Sequence, residues 1–221
     1  FRHNARLHEH VRFLYSNGSM YKCCNSNLLY HGCIPMTENR EFDGLMVGGK
    51  MYRGKELMDF IDTQVKNAYF LPEDAPEKEA CRDFMWYLWN GAKSPVFGKD
   101  KNRSFEHYFI EDPEVMRETM NPYYQLSEEE ETCDMILKEF GLPTKGSHII
   151  NGHMPVKIKS GETPIRAGGK LFIIDGGLSK AYQERTGIAG YTLVCNSRGM
   201  RLVAHEPFES TEAAIIKESD I

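Results

Sequence analysis

Apolar residues recur at helical and strand spacings along most of the chain. Leu7, Val11 and Leu14 are separated by four and three positions, which places them on one face of a helix. Patterns of this kind predict helices over Asn4 to Tyr15, Lys55 to Phe70, Glu77 to Trp89, Ser127 to Gly141 and Thr211 to Lys217. Short apolar or alternating runs bounded by turn-forming residues predict strands over Met20 to Cys24, Asn27 to Tyr30, Phe105 to Ile110, His148 to Asn151, Leu171 to Asp175, Tyr191 to Asn196 and Met200 to His205. The mixed order of helices and strands indicates the α/β or α+β class.

The segments around these elements differ in character. Residues 37–52 contain several glycines, which predicts a loop. Residues 90–103 are rich in Gly and Lys and predict a polar loop. Ser127 begins its helix in the pattern of a capping box, with Glu three positions later. Trp86 and Trp89 lie three positions apart on one helix face, and we expect them in the core.

The composition is that of an ordinary globular chain of 221 residues, with 41% hydrophobic and 27% charged residues. The formal net charge of -5 argues against a chain built to bind nucleic acid or anionic membranes. The six cysteines form no C-x-x-C pair, which argues against a zinc ribbon and for reduced thiols. No apolar stretch approaches the roughly 20 residues of a membrane helix, and no signal-peptide pattern is present, so we expect a cytoplasmic protein. The chain starts at Phe1 without an initiator Met, and we expect further residues before it.

Two histidines stand in the same local context at the ends of predicted strands. His31 is followed by Gly32, and His153 is preceded by Gly152. The carboxyl ends of strands are where α/β proteins place ligand sites, and a glycine beside the histidine clears space for a ligand. Neutral imidazole is the commonest metal ligand, so the pattern favours a metal site that includes both histidines. The alternative is that each is a surface or hydrogen-bonded core residue, and two histidines alone do not fill a metal shell.

Together, the two histidine motifs resemble the last two metal motifs of the calcineurin-like metallophosphoesterases. Over nearly its whole length the chain is similar to the class 3 fructose-1,6-bisphosphatases of Firmicutes and related bacteria. The similarity is carried by HVRFLYSNGSMY (10–21), NLLYHGCIP (27–35), WYLWNGAKSPVFGKD (86–100), INGHMPVK (150–157) and GGKLFIIDGGLSKAYQERTGIAGYTLV (168–194). The first motifs of the superfamily, Asp-x-His, Gly-Asp-x-x-Asp-Arg-Gly and Gly-Asn-His-Glu, do not occur in the chain. The resemblance implies that they precede Phe1 and that the chain is a C-terminal fragment.

The resemblance also implies a fold and its boundaries. We expect the C-terminal half of a calcineurin-like β-sandwich flanked by helices, with a helical and loop insertion between the two histidine motifs. One metallophosphatase domain would then cover residues 1–221. Its parts would be the first histidine motif (1–36), the helical and substrate-loop insertion (37–146), the second histidine motif with the closing strands (147–208) and a C-terminal tail (209–221).

By the same resemblance, His31 and His153 are ligands of the second metal in a binuclear site, with Mn²⁺ as the expected metal. The full-length enzyme would hydrolyse the 1-phosphate of D-fructose 1,6-bisphosphate to fructose 6-phosphate, a step of gluconeogenesis, by a two-metal mechanism. The general acid is expected in the missing Gly-Asn-His-Glu motif, so no catalytic acid is assigned here and the isolated chain is expected to be inactive. A small sugar bisphosphate is the expected partner, with neither nucleic acid nor membrane, and formation of a homo-oligomer stays open.

Basic residues in the polar loop are candidates for binding the second phosphate of a bisphosphate. A flexible basic loop can hold a phosphate by charge-assisted hydrogen bonds. The alternative, with equal weight, is a solvated lysine loop. The basic side chains concerned are Lys93, Lys99, Lys101 and Arg103.

A second set of candidates follows the last histidine motif. In related phosphatases a loop at this place carries an aromatic residue that faces the metals, and the equivalent stretch here runs from Gly176 to Tyr182. Lys180 and Tyr182 could therefore face the phosphate, whereas the alternative is that Tyr182 packs under the loop. Asp175 either orients a ligating histidine or forms a turn, and the turn is slightly favoured.

Two other functions stay open at this point. Another calcineurin-like phosphatase, acting on phosphoproteins or dinucleotides, would use the same two histidines, and the substrate loops favour the sugar-phosphate family over it. A non-catalytic domain that regulates or oligomerises a phosphatase is the third hypothesis, because a fragment of 221 residues need not catalyse a reaction by itself.

Overall fold

The computed structural model describes residues 3–188, 190–205 and 209–217. The helices are α1 (Ala5–Asn17), α2 (Gly54–Phe70), α3 (Pro76–Asn90), α4 (Pro113–Met116), α5 (Tyr123–Leu126), α6 (Glu130–Glu139), α7 (Lys180–Thr186) and α8 (Thr211–Lys217). The strands are β1 (Tyr21–Cys24), β2 (Asn27–Tyr30), β3 (Gly44–Val47), β4 (Lys50–Arg53), β5 (His148–Asn151), β6 (Ile165–Arg166), β7 (Leu171–Ile173), β8 (Tyr191–Asn196) and β9 (Gly199–Ala204). The predicted mixed α/β class is confirmed. Each helix in these ranges is too short or too polar to span a bilayer.

A five-stranded sheet in the order β1-β2-β5-β7-β6 organises the chain. Its central strands β2, β5 and β7 are parallel, whereas the edge strands β1 and β6 run antiparallel to their neighbours. Leu28 pairs with Ile149 and Ile149 with Leu171, so these three buried side chains form one row on the same face. β3–β4 and β8–β9 are separate hairpins, and the two-layered sandwich stays a prediction. Because the central strands share one direction, the residues that follow them lie along one edge of the sheet.

The main core lies against this row of strand residues. Cys133, Ile136 and Leu137 recur at helical spacing on α6, are fully buried, and belong to the same apolar cluster as the row. A second, smaller cluster lies between α2 and α3 and contains Leu57, Ile61 and Leu88. The insertion between the histidine motifs therefore contributes α6 to the main core and forms a helical hairpin of its own.

Trp86 and Trp89 are exposed, contrary to the prediction that they lie in the core. Their exposed fractions are 62% and 49%, and the two rings contact each other with centroids 5.0 Å apart. The buried apolar residues of α3 are Cys81 and Leu88, which are seven positions apart and share one face of the helix. The two indoles occupy the remaining helix surface because the packing against α2 uses only that one face.

Residues 37–52 contain part of a hairpin where the sequence predicted a loop. Gly48 and Gly49 form the turn between β3 and β4, with φ of +57° and +81°. Two consecutive positive φ values are the requirement of a type I′ hairpin turn, and glycine meets it without strain. The glycines of this segment therefore mark a tight turn rather than an irregular loop.

The strand predicted over residues 105–110 is also wrong. The structure has a single 3-10 turn over Glu106–Tyr108 instead. Arg103 and Glu106 form an ion pair of 2.7 Å at a spacing of three residues, which a helical turn brings together and a strand does not. The alternation of apolar and polar residues suggested a strand with one buried face. In the structure the apolar side chains are exposed instead, Tyr108 to 81% and Phe109 to 87%.

Two predicted boundaries differ from those of the structure. The helix predicted from Ser127 begins at Glu130, and Ser127 instead closes α5, where its N–H donates to the Tyr123 carbonyl at 2.8 Å. The strand predicted to end at Asp175 ends at Ile173. The other predicted helices and strands are confirmed, with ends that differ by at most two residues.

A buried polar network lies beneath the carboxyl ends of β2 and β5. Tyr30, Tyr123 and Asn151 are at most 5% exposed. The Tyr30 and Tyr123 hydroxyls lie 2.6 Å apart, and Asn151 Nδ2 donates to the Tyr123 hydroxyl at 2.8 Å. Asn151 Nδ2 also donates to the Gly32 carbonyl at 3.3 Å. The network therefore joins the ends of both strands to α5.

We expect Tyr123→Phe to lower the free energy of unfolding by about 1–3 kcal/mol, because Tyr30 and Asn151 would each lose a buried hydrogen-bond partner. Tyr108→Phe is the matched control: Tyr108 is 81% exposed. That control should change the free energy of unfolding by no more than about 0.5 kcal/mol. Urea unfolding of both variants beside the parent chain measures the difference. Equal free energies of unfolding in the two variants would contradict the proposed contribution of the buried hydrogen bonds to stability.

Candidate functional site

His31 and His153 meet at the carboxyl ends of two adjacent parallel strands. His31 directly follows β2, and His153 lies two residues beyond β5. The pairing of β2 with β5 thus brings together two side chains that are 122 positions apart in sequence. His31 Nε2 lies 3.0 Å from His153 Nδ1, and the ring centroids are 4.8 Å apart with the planes at 70°. The Gly152 N–H donates to the His31 carbonyl at 3.0 Å, which fastens the two loops to each other.

A backbone carbonyl sets the orientation of His153. Its Nε2 lies 3.1 Å from the Phe97 carbonyl oxygen. Because a carbonyl only accepts hydrogen bonds, Nε2 is the donor, and Nδ1 is the nitrogen that faces His31. The backbone φ of His153 is +65°, which is uncommon for a residue with a Cβ. Strain of this kind concentrates at functional sites, and a histidine held through its second nitrogen is the usual arrangement of a metal ligand.

The polar loop 90–103 reaches the histidines through its backbone. The Cys33 N–H donates to the Pro95 carbonyl at 2.9 Å. A Cβ added to Gly32 would lie 2.4 Å from that same oxygen, so only glycine allows the loop to come this close. The sequence predicted that Gly32 clears space for a ligand, and in the structure the loop backbone fills that space.

Asp175 lies at the same edge of the sheet, two residues beyond β7. Its Oδ1 accepts the Gly177 N–H at 2.7 Å, which confirms the turn that the sequence slightly favoured. Its Cβ lies 3.7 Å from the position of a Cβ added to Gly152, so Asp175 packs against the loop that carries His153. Among the described residues, neither histidine hydrogen bonds to the Asp175 carboxylate. Its influence on His31 is electrostatic.

The pKa of His31 is lowered from its ordinary value of 6.5. Desolvation of the ring, which is only partly buried, is the largest cause, and repulsion from His153 is the second, while attraction to Asp175 offsets part of the shift. A lowered pKa keeps the imidazole neutral at neutral pH, with a lone pair available for a metal. Because the unfolded chain has the higher pKa, the folded state loses stability as the pH falls from about 6.5 through the lowered pKa.

The histidine pair fits two ligands of one divalent cation. Two imidazole nitrogens about 2.1 Å from an ion and at right angles to each other are about 3.0 Å apart. The nitrogens of His31 and His153 are 3.0 Å apart. Within residues 3–188, 190–205 and 209–217, no three His, Cys, Asp or Glu side chains converge into a metal site. A divalent cation takes at least four ligands, so the pair leaves most of the coordination sphere to other groups.

Carboxylates hold the basic residues that the sequence predicted to bind phosphate. Each basic side chain of the polar loop lies within 4.0 Å of one: Lys93 of Asp43, Lys99 of Glu118, Lys101 of Asp100 and Arg103 of Glu106. A phosphate would have to compete with these partners for the same positive charges. Phosphate binding by Lys93, Lys99 and Arg103 stays a prediction, and the local ion pairs make it less favourable.

The two other candidates, Lys180 and Tyr182, belong to α7. The side chain of Lys180 is outside the described part of the chain. Tyr182 is 55% exposed, and its Cβ lies 2.6 Å from the position of a Cβ added to Gly177. Tyr182 therefore packs against the loop near its backbone, and its ring extends into solvent. Among the described contacts, none joins this ring to His31 or His153, so its role in substrate binding stays a prediction.

Three groups that shape the site escaped prediction: Tyr123, Asn151 and the carbonyl of Phe97. Asn151 offered a usable signal, since a polar residue at the end of a buried strand needs hydrogen-bond partners. Tyr123 and Phe97 offered none, because their contacts depend on how residues 90–126 cross the ends of the strands.

We expect the pKa of His31, measured by NMR titration of the metal-free chain, to lie below 6.5. His153→Ala should raise this pKa, because it removes both a repelling neighbour and part of the burial. Asp175→Asn should lower it further, because an attractive charge is lost. Shifts of the same sign in the two variants would contradict the electrostatic arrangement described above.

The chain is similar to known proteins along its whole length. The family model of the Firmicute fructose-1,6-bisphosphatases matches residues 1–221. Fructose-1,6-bisphosphatase class 3 1 of Clostridium beijerinckii is 55% identical over 221 residues, which are 100% of this chain and 33% of the relative. The class 3 fructose-1,6-bisphosphatases of Clostridium tetani and Bacteroides fragilis are 52% and 51% identical, again over 100% of this chain and 33% of each relative. No solved structure matches the chain significantly.

These matches include both histidine motifs and the segments that surround them. The chain spans about a third of the length of the curated relatives it matches. The identity to the Clostridium beijerinckii relative is above 50% over an alignment of all 221 residues, and the family model also covers residues 1–221. The chain therefore belongs to the Firmicute fructose-1,6-bisphosphatase family.

Proposed function

We propose that this chain carries part of the active site of a fructose-1,6-bisphosphatase of the same length as its relatives. In this proposal the enzyme hydrolyses the 1-phosphate of D-fructose 1,6-bisphosphate and releases fructose 6-phosphate and phosphate. The observation that carries the proposal is the 3.0 Å approach of His31 Nε2 to His153 Nδ1 at the carboxyl edge of the sheet. The relatives are named fructose-1,6-bisphosphatases, which supports this choice of substrate.

The proposed metal is Mn²⁺, in a site that residues outside this chain complete. His31 would bind through Nε2, and His153 through Nδ1, while the protonated Nε2 of His153 donates its hydrogen bond to the Phe97 carbonyl. A divalent cation supplies Lewis-acid stabilisation of the phosphoryl charge and lowers the pKa of a water molecule. The contribution of this chain is orientation. The paired strands and the hydrogen bond from Gly152 to His31 hold both rings in one fixed relation.

The proposed setting is gluconeogenesis in the cytoplasm, with a small sugar bisphosphate as the partner. The cysteines of the chain are free thiols, which suits a reducing compartment. The net charge of -5 suits a small-molecule partner better than nucleic acid or an anionic membrane. Formation of a homo-oligomer stays open.

In the full-length protein, His31→Ala and His153→Ala should each lower turnover of fructose 1,6-bisphosphate by more than about a hundredfold. Mutation of a residue that merely supports a metal ligand costs up to about a hundredfold in activity, and loss of the ligand itself should cost more. The fold should be retained, because His31 is exposed and His153 is only partly buried. Phosphate release at saturating Mn²⁺ measures the effect, and circular dichroism checks the fold. His10→Ala, an exposed histidine on α1, is the control and should leave turnover unchanged. Near-normal turnover in either site variant would remove that residue from the proposed site.

The isolated chain of 221 residues should release no phosphate from fructose 1,6-bisphosphate above background. Its described residues offer two imidazole ligands at one point and no cluster of three metal-ligating side chains, whereas a binuclear site needs more ligands than two. The same assay on the full-length protein, with Mn²⁺ in both samples, provides the comparison. Turnover by the isolated chain at the rate of the full-length protein would contradict the proposal that residues outside this chain complete the metal site.

A further inference from the structure

A cavity of about 140 Å³ opens beside the loop that carries His153. Asn151 and Gly152, the two residues that precede this histidine, form part of its wall. Lys157 and Arg166 bring two basic residues to the same cavity, and Glu162 brings one acidic residue. Cavities of about 150 Å³ accommodate a benzene molecule, so the space can admit part of a small organic ligand rather than only a single water molecule.

The wall of this cavity includes a residue whose hydrogen-bond acceptor has no partner. Asn151 is 4% exposed, and its amide nitrogen donates to the Tyr123 hydroxyl and the Gly32 carbonyl. Its Oδ1 is buried and without a hydrogen-bond partner among the described residues. A buried polar atom left in this state costs roughly 1–3 kcal/mol. A ligand hydroxyl that donated to this oxygen would remove that cost.

Lys157 supplies the positive charge of the cavity that is not neutralised. The Arg166 guanidinium is already paired with Glu128 at 2.5 Å and with Glu162 at 3.2 Å. Only the backbone N–H of Lys157 bonds to Glu162, at 3.1 Å, and its ammonium forms no ion pair with any described carboxylate. The basic residues of the polar loop 90–103 are, in contrast, all paired. A free ammonium and an unpaired acceptor together suit a ligand with both a phosphate and a hydroxyl.

We infer that this cavity binds the sugar and the distal phosphate of the substrate, with Lys157 as the residue that selects a bisphosphate. This inference rests on the proposed function and names the substrate subsite within it. With the reacting phosphate at the histidine pair, the six-carbon sugar extends along residues 152–157 and carries the second phosphate to Lys157. Asn151 Oδ1 accepts a sugar hydroxyl, and the Lys157 ammonium donates charge-assisted hydrogen bonds to the phosphate. Lys157 would thereby make a contact of the kind that the sequence predicted for the loop 90–103.

The test compares two substrates in the full-length protein with Mn²⁺. One is fructose 1,6-bisphosphate, and the other is p-nitrophenyl phosphate, which has no second phosphate. In Lys157→Ala, the ratio of kcat/KM for the bisphosphate to kcat/KM for the monophosphate should fall by at least about tenfold, the effect of one lost charge-assisted hydrogen bond. The loss should lie mainly in KM for the bisphosphate, because the contact is distant from the reacting phosphorus. Lys157→Arg keeps the charge and should restore most of the ratio.

Lys145→Ala is the matched control. Lys145 is an exposed lysine in the segment before β5, at the opposite end of that strand from Lys157, and its replacement should leave the ratio at the parent value. A parent ratio in Lys157→Ala, in a protein that hydrolyses the bisphosphate, overturns the cavity assignment and leaves the proposed function intact. Failure of the full-length parent protein to hydrolyse fructose 1,6-bisphosphate overturns the proposed function, and this inference with it.

Discussion

The parallel pairing of β2 with β5 is the constraint on which the rest of the structure depends. Hydrogen bonds between these two short strands bring His31 and His153 to within 3.0 Å across 122 positions of sequence. The buried row of Leu28, Ile149 and Leu171 holds the register of the pairing. A slip by one residue would turn each side chain to the other face of the sheet, expose the row and separate the imidazoles. The same apolar contacts that stabilise the sheet therefore also place the candidate ligands.

Hydrogen bonds from polar groups behind the strand ends further fix the positions of the two histidine rings. Asn151 bonds to both the Gly32 carbonyl and Tyr123, so a single amide links the two histidine loops to the core. The Phe97 carbonyl holds the outer nitrogen of His153, whose left-handed backbone is tolerated because these surroundings determine it. The arrangement is one in which two rings are fixed before any ligand binds. Pre-organisation of this kind reduces the free energy that metal or substrate binding would otherwise spend on ordering side chains.

Charge in this region is distributed unevenly, because some of the described basic side chains are paired with carboxylates and others are not. The lysines of the polar loop hold the loop in place through ion pairs with carboxylates. Within the described ranges, the Lys157 ammonium has no such partner, and Lys157 lies beside a cavity that Asn151, with its unpaired Oδ1, also lines. The local carboxylates therefore decide which of the basic side chains in this region would have to break an ion pair before they could bind a phosphate.

By itself, the sequence determined most helices and strands, because the periodicity of apolar residues reports which face of an element is buried. It also identified both histidines, since a strand end followed by a tight turn is visible in local order. Tertiary structure alone decided the rest. The indole of Trp86 is exposed because packing against α2 uses the other face of its helix. Lys93 is neutralised by Asp43, fifty positions away. Contacts of this kind depend on the path of the folded chain, and no local pattern of residue types encodes that path.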